Sequence, residues 1–424
     1  MRELKIFFVV AVFTALVYWG VEPYAHSVMN PHVAPANFDF AKEDIDFAKS
    51  TLTAKQEELT LANEELKKAK NSKDKELKIQ AENKQKAAEA AVESAKATLA
   101  ANQALWDRVK EIDFKAGNAQ SGAEFFATNC VACHSLKTAG LEGAIPDSST
   151  YGVLPPDLSS TGALYDEKFL AALILNPALA LKVEHKFGEA FIMTAYNDET
   201  SGEDASVAKQ VVSANIANVI AYLKEVSKDY KKAFESEVKE ELKAKYAKMQ
   251  DLSQSDKAKF MEKDLAFAKA KNDFIEACGR CHDMKYDGFK ALSAMSDLNG
   301  YLGMNPPDLS MMIRARSGEY LNNFINNTQK VLAGTAMPRV GLTQNAQASV
   351  ISYMEMVGDS KKDERTSVGI GVMIFFAILS VFALCGVLLT RECFENLCQI
   401  ILTHTDSGIA DSDSHYHVSR LITR

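Results

Sequence analysis

The chain has 424 residues, 47% hydrophobic and 25% charged, with 48 basic against 56 acidic side chains and a net charge of −8. That length and composition suit two or three globular domains, and the acidic balance argues against a nucleic-acid partner, which needs a basic footprint. The averages hide strong segregation: uncharged apolar runs stand near both ends, Ala/Lys/Glu-rich runs lie between, and four of the seven cysteines occupy two pentapeptides.

From Ile6 to Val21 no residue is charged, while Arg2 and Lys5 precede the run and Glu22-Pro23 closes it. Tyr18 and Trp19 stand where a removable signal would need small residues, so residues 1–24 are expected to form an uncleaved transmembrane anchor with a cytoplasmic N-terminus. Residues 41–110 lack glycine and proline and are rich in Ala, Lys, Glu and Leu, a composition that favours helix. Ile45, Leu52, Leu59 and Leu66 recur every seven residues; Asn71-Ser72-Lys73-Asp74 offers a turn; Val92, Leu99 and Trp106 resume the spacing. This pattern predicts an antiparallel helical hairpin over 38–112, serving as a solvated spacer or, alternatively, as a docking arm. A lobe at 113–228 follows, then a second charged helical stretch, a linker over 229–265, and a second lobe at 266–360. The 25 uncharged residues between Arg365 and Arg391 suffice to cross about 30 Å of hydrocarbon. They predict a transmembrane helix at 366–390 and a cytoplasmic tail at 391–424.

Cys130-Val131-Ala132-Cys133-His134 and Cys278-Gly279-Arg280-Cys281-His282 both read C-x-x-C-H, the attachment signature of c-type haem. The two thiols add across the two vinyl groups of one porphyrin, and the next residue then lies under the iron as an axial ligand. A zinc site would need four ligands from neighbouring knuckles, but the pentapeptides are 148 residues apart. A thioredoxin-like pair would not need the histidine. Two covalently bound haem c groups are therefore expected, held by Cys130, Cys133, Cys278 and Cys281, with His134 and His282 on the metals. Such attachment takes place outside the cytoplasm, so both lobes are expected to face the periplasm from the bacterial inner membrane.

A methionine opposite the histidine closes the coordination sphere and favours electron transfer over oxygen chemistry. Met337, 55 residues after His282 and followed by Pro338, fits that role; Met193 stands 59 residues after His134, with His185 as the alternative. Met284, Met295, Met304, Met311 and Met312 read as core or gap-filling residues. With a sixth ligand for each metal, no residue is assigned a catalytic role, and a dihaem peroxidase, which needs an open position, is disfavoured.

The same landmarks recur around both pentapeptides: Phe126 and Phe274 four residues before the first cysteine, Gly122 and Ala270 four earlier, Pro155-Pro156-Asp157-Leu158-Ser159 and Pro306-Pro307-Asp308-Leu309-Ser310 after them. Val219–Leu223 and Val350–Met354 recur on a final helix, an ordered repetition that marks one small module used twice. These residues resemble the class I cytochrome c fold, over roughly 115–227 and 266–358, and so imply an all-α chain of two tandem class I cytochrome c domains. In that family a proline carbonyl accepts a hydrogen bond from the proximal histidine, which points to Pro156 and Pro307. Phe191–Tyr196 is similar to the family's ligand loop without its prolines.

The domain order and the opening Trp19-Gly20-Val21-Glu22-Pro23-Tyr24-Ala25-His26-Ser27 resemble the dihaem cytochrome c1-type subunits of bacterial quinol–cytochrome c reductase, the cytochrome bc1 complex. That resemblance implies an electron-transfer subunit of the respiratory chain, not a catalyst on its own. Its partners would be cytochrome b and a Rieske iron–sulfur protein, with a soluble cytochrome c or terminal oxidase downstream. The alternative is the dihaem subunit of a cbb3-type oxidase or another quinol dehydrogenase cytochrome. Lys115–Glu199 holds five basic and ten acidic residues and Glu276–Asn345 seven and six, so the lobes differ in charge. That difference either steers different partners or serves solvation alone.

Overall fold

Long runs without helix breakers and well-placed caps dictate an all-α chain. The computed structural model describes residues 2–21, 24, 36–183 and 192–406, and among them the only β-structure is three isolated bridges. The chain divides into two units, residues 1–359 and 360–424. In the first, helix α1 (Arg2–Leu16) continues into a π-turn, and Leu4–Val21 is apolar and without protein cover. The second consists, as far as described, of one helix of 45 residues, Lys362–Asp406, whose uncovered apolar stretch Glu364–Thr390 spans about 40 Å at 1.5 Å per residue. By length and composition both helices could cross a membrane.

Asp39 caps α2 (Phe40–Lys70) by accepting the Lys42 amide, and Asp74 caps α3 (Lys75–Lys110) by accepting those of Glu76 and Leu77. The two form a hairpin in which Ala62, Leu66 and Ala69 face Ala81, Val92 and Ala95 as a buried seam of mostly small residues. At its base the hairpin is more than a spacer. Phe40, Leu105, Trp106, Val109 and Ile112 belong to the core of the first lobe, together with Phe126, Phe169, Val212, Ile216 and Ile220. Burial of each large side chain there stabilises by about 2 kcal/mol, so the arm and the lobe fold as one body.

The first lobe adds α4 (Ala119–Asn129), α5 (Thr161–Leu164), α6 (Glu167–Leu175), α7 (Pro177–Leu181) and α8 (Ala208–Ala247). Gly122 lets α4 cross α8 closely: a Cβ there would lie 2.1 Å from the Asn218 carbonyl oxygen. The second lobe comprises α9 (Gln254–Cys278), α10 (Met295–Leu302), α11 (Met312–Arg316), α12 (Gly318–Phe324), α13 (Thr328–Val331) and α14 (Gln344–Gly358). The stretch expected as a helical linker is helical throughout most of its length, as the continuation of α8 and the beginning of α9. They turn back on each other at residues 248–253, where Ser253 caps α9, and are tied by Lys269 to Glu235 (2.9 Å) and Tyr246 to Asp264 (2.9 Å). No glycine or proline occurs between Ala208 and Cys278, so nothing ends α8 at the lobe's edge.

The lobes interlock. Leu164, at the end of α5, is fully buried in the core of the second lobe with Phe274, Met284, Leu342 and Val350. Tyr165 bridges Leu342, the Asp166 amide donates to the Gly341 carbonyl (3.1 Å), and the Thr343 amide donates to that of Leu164 (2.9 Å). Gly341 has φ +81° and sits against Phe169, where a Cβ would lie 2.0 Å from the ring.

Candidate functional site

Each cysteine pentapeptide is one helical turn added to the end of a buried helix. Cys130 is the C-cap of α4, and the amides of Cys133 and His134 donate to its carbonyl at 3.1 and 2.9 Å. In the second lobe the amides of Cys281 and His282 donate to the Cys278 carbonyl at 3.1 and 3.0 Å. Spacing by three residues on such a turn sets both thiols on one face. Cys130, Cys278 and Cys281 are half-buried and Cys133 is exposed. Burial pushes the thiols up, Cys130 to about 11 and Cys278 to about 12.

Nδ1 of His134 lies 3.0 Å from the Pro156 carbonyl oxygen, and Nδ1 of His282 lies 2.8 Å from that of Pro307. A carbonyl only accepts, so both Nδ1 atoms carry the hydrogen and both Nε2 atoms present a lone pair. Burial lowers both imidazoles' affinity for a second proton, against the opposing effect of the carbonyls, and keeps them neutral. Neutral imidazole with its far nitrogen fixed by a hydrogen bond is the form that ligates a metal.

The bonds around the two turns correspond position by position. Leu136 bridges Leu141 as Met284 bridges Phe289. The Leu158 amide donates to the Ser135 carbonyl (2.8 Å) as that of Leu309 donates to Asp283 (3.0 Å). Asp157 accepts the Lys137 amide as Asp308 accepts that of Lys285. Phe126 packs on Tyr222 at a centroid distance of 6.1 Å, and Phe274 on Tyr353 at 5.0 Å.

Met193 and Met337 are half-buried on loops. Gln329 holds the Met337 loop by donating to the Thr335 carbonyl (2.6 Å) and accepting the Gly334 amide (3.0 Å). Just after Met193, the Tyr196 amide donates to the Ile174 carbonyl (2.9 Å) and its ring packs on Phe125. His185 and Phe191 lie outside the described residues. Of the other methionines, Met284 is fully buried, whereas Met304 and Met311 are exposed and do not fill the core. Both sit beside loop positions, outside the apolar face of any long helix.

The donor set fits a covalently attached haem: two thiols on one helical face followed by an imidazole whose outer nitrogen is free to bind iron. The chain also packs directly on the first motif's backbone, since a Cβ at Gly143 would lie 2.8 Å from the Cys133 carbonyl oxygen. Among the described residues no group of three or more His, Cys, Asp or Glu could hold a metal ion without such a macrocycle. Residues 119–227 match the family model for cytochrome c. The chain contains a cytochrome c domain. The match covers the first lobe and implies covalently bound haem c and a haem-based electron-transfer role there. No curated protein and no solved structure significantly matches the chain.

Two features escape a reading of the sequence. Arg280, inside the second pentapeptide, donates to the Leu154 carbonyl (3.3 Å), two residues from Pro156, and Ser293 accepts the Leu154 amide (3.0 Å). The peptide that orients His134 is thereby bonded to the second motif. Asp44 of the hairpin, 1% exposed, joins Lys182 at the end of α7 to Arg339 of the Met337 loop. The one local signal for it was Trp106 on an apolar stripe, because a buried indole N–H needs an acceptor.

Proposed function

We propose that the chain is a membrane-anchored dihaem c-type cytochrome that relays electrons from a Rieske iron–sulfur protein to a downstream cytochrome c or oxidase, as a subunit of a quinol–cytochrome c reductase. The observation that carries the dihaem reading is the second turn, Cys278–His282, which repeats the bonds of the first down to the histidine–proline contact. When bound, each haem c supplies a one-electron iron couple. Cys130 and Cys133, and Cys278 and Cys281, would hold the groups covalently and His134 and His282 would ligate, while Pro156 and Pro307 fix the imidazole planes and keep Nδ1 protonated. Met193 and Met337 would supply the remaining ligands, which would exclude oxygen and peroxide.

The interlocked lobes support a relay because the two motifs cannot separate without breaking the Arg280–Leu154 and Ser293–Leu154 bonds and exposing Leu164. The apolar helices at both ends support a place at the membrane surface, with both lobes in the periplasm of a bacterial inner membrane. Catalysis of quinol oxidation would rest with cytochrome b and the iron–sulfur protein. Mild-detergent purification of the tagged full chain tests the assignment: cytochrome b and an iron–sulfur protein should copurify. Copper–haem oxidase subunits in their place would transfer the chain to an oxidase.

A further inference from the structure

We propose that Asp44, on the helical hairpin, is a positioning residue for the Met337 loop and couples the arm to the ligation of the metal there. Its Oδ1 accepts from Arg339 Nη2, and its Oδ2 accepts from Trp106 Nε1 at 2.8 Å and faces Lys182 Nζ at 3.2 Å. Arg339 stands two residues after Met337, and Lys182 eleven before Met193. The Arg339 amide donates to the Leu181 carbonyl (3.0 Å), so the Met337 loop also touches the end of α7 directly. The Arg339 guanidinium lies 5.4 Å over the Phe40 ring at the hairpin's first residue, and Lys330 pairs with Glu43 beside it.

Asp44 and Arg339 are 1% and 4% exposed, and Asn102, which accepts from Lys182, is 1% exposed. A charge cluster this dry gains little over apolar side chains of the same volume, but loosening any member leaves the others uncompensated. It therefore admits one arrangement of the groups it joins. Lys182 shows the constraint: at the end of α7, with Nζ on Asp44, it holds a left-handed backbone, φ 60° and ψ 39°, which disfavours a side chain with Cβ. Burial alone would raise the Asp44 carboxyl, but Arg339 and Lys182 outweigh it and hold it below its ordinary range, so it stays charged.

The proposal rests on the reading of the methionines as axial ligands, and the test separates the two. In the oxidised, haem-loaded full chain the near-infrared sulfur-to-iron band reports methionine ligation, and a wild-type chain without it would overturn the ligand reading and this proposal together. Given the band, Asp44→Asn should keep two haems per chain, lose about half of the band and lower at least one midpoint potential. Leu66→Ala, farther out on the hairpin, should lower the thermal midpoint and leave the band intact. Should Asp44→Asn fail to accumulate, Trp106→Phe removes the indole hydrogen bond to Asp44, along with part of a buried ring, and should weaken the band in the same sense. An unchanged band and unchanged potentials in the Asp44 variant, or in the Trp106 variant read in its place, would overturn the proposal. So would a band that falls equally in Leu66→Ala.

Discussion

Around Cys130 and around Cys278 the chain makes the same bonds at the same positions, yet the two lobes are supported differently. The first lobe packs Phe40, Leu105, Trp106 and Val109 of the hairpin into its core. The second takes Leu164 from its neighbour and no hairpin residue. The local geometry that orients a histidine is thus independent of how the surrounding core is completed. What the core supplies is rigidity, and the first lobe draws it from two long helices that a minimal module would not need.

The largest expected effect breaks the pair outright. Replacing Cys278 and Cys281 by alanine should reduce the haem count from two to one per chain, and the Cys130/Cys133 double variant should do the same; a pyridine haemochrome assay checks both, and a chain that keeps its full complement would refute covalent attachment at the altered turn. Next, Met337→Ala and Met193→Ala should each remove about half the near-infrared band, as methionine ligation on two separate irons requires. If only the Met337 change acts, the first lobe uses another ligand.

Gly341→Val strikes the junction between the lobes. A Cβ at φ +81° and 2.0 Å from the Phe169 ring should cost about 2–4 kcal/mol through strain and overpacking, seen as a lower thermal midpoint with both haems still attached. The smallest effect sharpens the comparison further. Ser293→Ala removes the acceptor of the Leu154 amide, should cost about 1 kcal/mol, and should leave the corresponding contacts within each lobe untouched, as amide exchange at Leu154 would report.

How much of this was legible in the sequence follows from distance along the chain. The cysteine turns are legible because five consecutive residues carry both the chemistry and its geometry. The hairpin is legible because its seam repeats every seven residues and Asp74 marks the second helix start. The Asp44–Arg339 pair spans 295 residues and joins a helix carboxylate to a loop guanidinium, so composition concealed it. Leu164 reads as an ordinary apolar residue of a short helix, and nothing local says which core it enters. The helicity of the linker is legible in its composition, but its continuity with α8 depends on the lack of any glycine or proline between Ala208 and the turn before Ser253.

Leu164 has a last consequence. A chain severed between α8 and α9 would leave the C-terminal half with a leucine-sized void and the N-terminal half with that leucine bare to water. Neither fragment would be a smaller version of the whole, and the two copies of the module can no longer be parted, whatever their origin, without refilling the gap.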